Sequence, residues 1–264
     1  VVSAPTTGAA GTGRSVGDDL VLSKVSFSYR RRGLRVLADL SVGFPCGSTA
    51  LLGVNGAGKS TLMGVAATLL VPQSGVVSVG GDRAHGHTMA AYRRRLGWMP
   101  QVIRPIGRFS ARESVAYAGW LAGMDRTQAW EDAPRALGRV SLQEQEGTRA
   151  SELSGGQLRR LGIAQALIHG SDWLLLDEPA AGLDPLQRSS VRDLFRELRD
   201  EVNLVVSTHV TADVIGGAFD HVVVLHRGAV LWQGSTEAFV DLAPPTGGQG
   251  ERGDVAFTRL LEGS

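Results

Sequence analysis

Apolar residues fall in short runs, and two periods take turns along the chain. Val25, Phe27 and Tyr29 alternate with polar neighbours, so Leu20 to Tyr29 predicts a strand, with a second around Val36–Phe44. A compact apolar strand at Ala50–Val54 runs into a glycine-rich turn, and Lys59–Leu70 then carries a helical pattern. Val76–Val79 followed by Gly80-Gly81 predicts a hairpin strand. Leu96–Met99 reads as a short buried strand that stops at Pro100.

The middle of the chain changes period. Ser110-Ala-Arg-Glu113 is a capping-box pattern that opens a helix through about Ala122. A second helix is expected at Thr127–Val140, kinked or broken at Pro134. This largely helical block, about 105–168, predicts a lobe inserted between strands of a sheet. After it, strands at Trp173–Leu176, Leu204–Ser207, His221–Leu225 and Ala229–Gln233 alternate with helices at Pro185–Arg199 and Thr211–Gly216. Such alternation implies an α/β fold with a largely parallel sheet. Residues 1–17 read as a disordered tail, and 243–254, with Pro244-Pro245 and several glycines, as a linker before a short C-terminal helix.

Composition narrows the class. With 43% hydrophobic residues a disordered chain is excluded, and with one cysteine, Cys46, a disulfide scaffold is excluded. The net charge of +1 gives no global field to draw nucleic acid or anionic lipid, so no nucleic-acid partner is expected. No apolar run approaches the ~18 residues of a membrane span, and no signal-peptide pattern opens the chain, so a soluble cytoplasmic protein is expected. Basic residues are almost all arginine: Lys24 and Lys59 are the two lysines. Where lysine survives such a bias, a chemical reason is worth seeking.

Lys59 closes Gly53-Val-Asn55-Gly56-Ala57-Gly58-Lys59-Ser60, which matches G-x-x-x-x-G-K-[ST] between a predicted strand and a predicted helix. Glycines let successive N–H groups converge on phosphate oxygens, and the helix N-terminus, with Thr61 next in it, adds its positive end. Lys59 supplies a compact charge for the β- and γ-phosphates and Ser60 a hydroxyl for Mg²⁺. The alternative is an ordinary turn in a glycine-rich chain, which does not explain the rare lysine. Trp173–Leu176 ends in Asp177-Glu178, where one carboxylate can serve the metal shell and the other polarise water. Taken alone, an apolar strand ending in two acids is commonplace; paired with the loop it is not. His85-x-His87 lacks a supporting Cys or carboxylate cluster and is not read as a metal site. The five tryptophans are read as core or lobe packing.

Leu153-Ser154-Gly155-Gly156-Gln157, one helix before Asp177, resembles the signature motif of the ATP-binding cassette (ABC) family. Further motifs follow in order. Gln101 after Met99-Pro100 resembles the Q-loop, Gly182-Leu183-Asp184 the D-loop, His209 the switch histidine, and Tyr29 the aromatic residue that stacks on adenine. On the residues alone, Ser154 could be a plain N-cap, Gln101 a turn glutamine and Tyr29 a core tyrosine. The resemblance covers about residues 20–240. It implies a P-loop NTPase core, an antiparallel β subdomain and an inserted helical lobe, within an ATP-binding domain at 18–242.

The same resemblance implies ATP hydrolysis with Mg²⁺. Glu178, His209 and Gln101 would be catalytic. Tyr29, Gly53 and Asn55 to Thr61 would hold the nucleotide, and Ser60, Gln101 and, through water, Asp177 would hold the metal. Ser154 to Gln157 would act on the ATP of a second ATP-binding subunit, so a head-to-tail dimer is implied, read as a homodimer. A membrane permease on a separate chain is the implied partner, which places the subunit at the inner face of the membrane. The wording of 109–117 is similar to the prokaryotic drug- and antibiotic-export branch, and little chain follows His209 to form the regulatory domain of many sugar importers. Export is therefore expected. An importer subunit, or a soluble cassette ATPase such as the iron–sulfur assembly type, is the alternative.

Overall fold

The structure, a computed structural model, describes residues 18–30, 33–246 and 248–263. The expected tail at 1–17 lies outside the described residues.

Two sheets enclose one helix. β1 (Leu20–Phe27), β2 (Leu37–Phe44), β4 (Ser74–Val79) and β5 (Asp82–Arg83) form an antiparallel sheet in the order β2-β1-β4-β5. The second sheet runs β10-β9-β3-β8-β7-β6, built from β3 (Ser48–Leu52), β6 (Leu96–Met99), β7 (Trp173–Leu176), β8 (Asn203–Thr208), β9 (His221–His226) and β10 (Ala229–Ser235). All its pairings are parallel except the terminal hairpin β9–β10. The expected α/β architecture is present: a parallel core, an antiparallel subdomain and a helical lobe.

Period-2 alternation divides each central strand between two cores. Leu51, Trp173, Leu175, Val205 and Val223 face the antiparallel sheet and α1 (Lys59–Ala66). Ala50, Leu52, Leu174, Leu176, Val206 and Val222 face the opposite side, toward the lobe helices and α6 (Pro185–Leu198). Strands buried on both faces read as continuous apolar runs, which is why β6 and β7 stand at their expected bounds.

Several elements differ from expectation. The helix expected to reach Leu70 stops at Ala66, because Thr68 takes a left-handed conformation (φ 59°) and the N–H groups of Leu69 and Leu70 turn back to the Gly64 carbonyl. A short unexpected helix, α2 (Met89–Arg94), buries Tyr92, whose hydroxyl donates to the Ala66 carbonyl (2.5 Å) at the end of α1. The expected linker is helical from Gln249: α8 (Thr236–Val240) is followed by α9 (Gln249–Glu262). α9 packs on α7 (Thr211–Ile215) through a fully buried Ala256 and through Gly253, where a Cβ would lie 2.0 Å from Ile215 Cδ1. The glycine that reads as a breaker is thus a close-approach residue.

In the lobe, α3 (Ala111–Leu121) carries the expected capping box. α4 (Arg126–Arg139) runs through Pro134 without the expected break. Proline deprives the carbonyl four residues earlier of its donor, here Trp130. Arg112 of α3 replaces it: Nη2 and Nε donate to the Trp130 carbonyl at 3.1 and 3.3 Å, with Cζ 4.1 Å from the Trp130 ring centroid. Its Nη1 meets Glu146 Oε1 at 2.6 Å. α5 (Gly155–Leu167) completes the lobe. The tryptophans do not all pack inside: Trp173 is fully buried, whereas Trp120 and Trp130 are 52% and 44% exposed. Both line an open cleft with Phe109 and Tyr117.

Arg112→Ala should cost about 1–3 kcal/mol of stability by orphaning a carbonyl. In a Pro134→Ala background, where the helix supplies its own donor, the cost should shrink. A double-mutant cycle by urea denaturation checks this, and additivity within about 0.3–0.5 kcal/mol would contradict it.

Candidate active site

Four strand ends meet at one edge of the parallel sheet, the place where open α/β sheets bind ligands. β3 leads into the loop 53–58, β6 to Gln101, β7 to Asp177 and Glu178, and β8 to His209.

The loop is fastened at both ends. The Gly53 N–H donates to the Thr208 carbonyl (3.3 Å) and the Gly228 N–H to the Ala57 carbonyl (2.9 Å). Gly53 has no room for a side chain, since a Cβ would sit 2.5 Å from the Leu225 carbonyl oxygen. Gly58 holds φ +104° as the N-cap of α1. The first intrahelical bond is Leu62 N–H to the Gly58 carbonyl, so the N–H groups of Lys59, Ser60 and Thr61 precede it at the positive end of α1. Asn55, Gly56 and Ser60 are exposed, while Ala57, Lys59 and Thr61 are buried.

Lys59 Nζ donates to the carbonyls of Gly53 (2.8 Å) and Val54 (3.3 Å) and lies 3.4 Å from Glu178 Oε1. Gln101 Nε2 donates to the other oxygen, Oε2, at 3.2 Å, and His209 Nδ1 stands 3.4 Å from it. Two residues expected to be catalytic, Gln101 and His209, and the loop lysine therefore converge on the carboxylate of the third, Glu178. Glu178 is 8% exposed, and a buried carboxylate needs such partners.

Its backbone is set with equal care. Glu178 takes φ +46°, a left-handed conformation costly for a residue with a Cβ. Ser207 Oγ accepts the Glu178 N–H (2.8 Å) and donates to Asp177 Oδ1 (2.6 Å). The Asp177 N–H donates to the Met99 carbonyl at 3.0 Å. Sequence reasoning missed Ser207 as a site residue, although it stands two positions before His209; its role depends on pairing of β8 with β7.

Other expected residues lie apart from this cluster. Ser154 caps α5 in a reciprocal box: the Gln157 N–H donates to Ser154 Oγ (3.3 Å) and the Ser154 N–H to Gln157 Oε1 (2.9 Å). Ser154 and Gly155 are exposed, and the cleft lined by Ser154, Gly156 and Gln157 includes none of residues 53–61. Asp184 caps α6, accepting the Gln187 N–H at 2.9 Å. Tyr29 is no core residue: it is 67% exposed, packs edge-on against Phe27 (5.1 Å), and places its hydroxyl 3.0 Å from Thr61 Oγ1.

A glycine loop before a helix, a buried lysine and two carboxylates at the end of β7, two strands from β3 in the same sheet, define a phosphate-binding NTPase-type site. The family model described as ABC transporter matches residues 37–181, a segment that holds the loop, Gln101, Ser154–Gln157, Asp177 and Glu178. The uncharacterized ABC transporter ATP-binding protein YxlF of Bacillus subtilis is 37% identical over 188 residues, covering 71% of this chain and 61% of that one. The phosphonates import ATP-binding protein PhnC of Thiobacillus denitrificans is 33% identical over 214 residues, covering 77% and 82%. A solved ATP-binding subunit of an ABC transporter superposes with a TM-score of 0.74 at 25% identity, over 92% and 99% of the two chains. The chain belongs to the ABC transporter family and carries its ATP-binding domain.

Ser207→Ala removes one group that serves both the strained turn and Asp177. Stability should fall by about 1–3 kcal/mol, measured by urea denaturation. A change below about 0.5 kcal/mol would mean that Ser207 does not hold the turn.

Proposed function

We propose that this chain hydrolyses ATP to power transport of a substrate through a membrane permease carried on a separate chain. The observation that carries the reading is the convergence of Lys59, Gln101 and His209 on the Glu178 carboxylate.

Each residue then has its own role. The exposed amides of the loop and the end of α1 bind phosphate oxygens, and Lys59 neutralises ground-state charge on the β- and γ-phosphates. Glu178 accepts a proton from the attacking water, with Gln101 orienting that water and His209 fixing the carboxylate. Tyr29, exposed beside α1, offers its ring to adenine. The donors near the loop, the Ser60 hydroxyl, the Gln101 amide oxygen and the Asp177 carboxylate, are all oxygen, which suits Mg²⁺ sharing phosphate oxygens and water. Among the described residues no group of three His, Cys, Asp or Glu side chains is placed to hold a metal ion. The bound cation would supply charge neutralisation on the phosphates.

The dimer reading rests on Ser154. It is exposed at a helix N-terminus, another anion-binding end, in a cleft separate from residues 53–61. A second ATP-binding subunit places that end against the γ-phosphate, with Asp184 beside the junction, most simply as a homodimer.

No helix among the described residues is long and apolar enough to cross a membrane; in this reading the membrane passage belongs to the permease. The aromatic cleft of Phe109, Tyr117, Trp120 and Trp130, with exposed Ile106 close in sequence, is the proposed docking face on the inner side of the membrane. Val115, by contrast, is fully buried and belongs to the lobe's core. The sequence of 109–117 favours export, while PhnC is an importer; the permease sets direction and cargo.

Lys59→Ala subunits and Ser154→Arg subunits should each be inactive, and mixing them should restore partial ATPase activity, because one composite site in the mixed dimer is intact. Absence of recovery with mixed dimers shown to form would refute shared sites. The wild-type chain should co-purify from its host with a membrane-spanning protein, and association with none would refute the transport role.

A further inference from the structure

Arg159 sits on α5, little more than a turn beyond Ser154, and belongs to none of the nucleotide-site motifs. Its guanidinium leaves the lobe and reaches the sheet. Nη1 donates to the Gln101 carbonyl, and Nη2 lies 3.5 Å from the Ala181 carbonyl. Both acceptors belong to segments leaving adjacent parallel strands, β6 and β7. The Ala181 N–H in turn donates to the Glu178 carbonyl (3.1 Å), closing the turn that holds Glu178 in its left-handed conformation. The neighbouring Arg160 points elsewhere. It donates to the Val140 carbonyl (2.7 Å) and reaches Ser190 Oγ, joining lobe elements and α6.

We propose that Arg159 is a positioning residue for ATP hydrolysis: it fixes the Gln101 segment and the turn after Glu178 to the helix that presents Ser154. A planar guanidinium carries several donors in a rigid fork and can span carbonyls set on two separate segments, a reach that a compact ammonium matches less well. Partial burial favours keeping that fork occupied, and the Glu178 carboxylate acts favourably on the Arg159 charge while burial opposes it. The consequence is mechanical. The Gln101 side chain touches Glu178, its backbone is tied to α5, and α5 begins at the surface offered to a second subunit. Events at Glu178 and the orientation of Ser154 are therefore linked through one side chain.

This inference rests on the ATPase reading, and two readouts separate the failures. In Arg159→Ala, kcat should fall by about tenfold or more while the KM for ATP stays within about threefold, because misplacement of reacting groups costs rate and the loop 53–58 is untouched. Arg159→Lys should recover part of the rate and stay below wild type. Independently of turnover, amide hydrogen exchange at Ala181 should quicken in Arg159→Ala, with exchange in 59–66 unchanged. Wild-type kcat in Arg159→Ala, or in Arg159→Lys if the alanine variant does not fold, would overturn the proposal. So would a parallel loss of ATP binding and melting temperature without a kcat-specific effect, or unchanged exchange at Ala181. A wild-type chain without ATPase activity would refute the ATPase reading, and the exchange measurement would still decide whether Arg159 holds the turn.

Discussion

A carboxylate almost closed off from water at the end of a buried strand sets the terms for its surroundings. Taking such a charge out of solvent costs several kcal/mol, which only close partners can offset. Glu178 has them on both oxygens: Lys59 at 3.4 Å on one, Gln101 at 3.2 Å and His209 at 3.4 Å on the other. With Glu178 itself, the cluster draws on four different strand ends, so it exists only when the parallel sheet is assembled in register. The left-handed backbone at Glu178 depends on the same assembly. Ser207 from β8 accepts its N–H and braces Asp177 beside it. Strain at this point is held by the sheet and aims the side chain at the loop.

The rest of the fold keeps those strand ends still and packs the lobe helices into the same core as one face of the sheet. Central strands are buried on both faces, by α1 and the antiparallel sheet on one side and by helices on the other. The lobe has its own internal fastening in Arg112, which serves α3, the proline-interrupted ladder of α4 and Glu146 together. Its first segment follows Gln101, whose carbonyl accepts from Arg159 of α5. α9 lies against α7, the helix that follows His209, with Thr211 and Asp254 hydrogen-bonded across the junction.

Much of this is legible in the sequence, and the boundary of legibility has a physical form. β6 and β7 stand at their expected residues because a doubly buried strand is an unbroken apolar run with hard stops. The loop 53–60 is legible because phosphate binding needs unusual residues at fixed spacing. What local pattern could not show depends on partners distant in the chain. Pro134 reads as a break until Arg112 supplies its missing donor. Gly253 reads as a linker until Ile215 is seen to leave no space for a Cβ. Trp120 and Trp130 look like core residues by type and prove exposed by position. Ser207 and Arg159 carry no motif, since one is defined by strand pairing and the other by a span between lobe and sheet.

The central claim is that Glu178 is where water is activated and that Lys59 holds the nucleotide independently of that step. Glu178→Gln tests it most directly, since the amide preserves shape and removes the base. Mg²⁺-dependent ATP binding and steady-state hydrolysis would be measured on the same preparation. The account predicts binding close to wild type with turnover reduced by about 10²-fold or more, the usual contribution of a general base. Turnover within a few-fold of wild type, with binding intact, would contradict it.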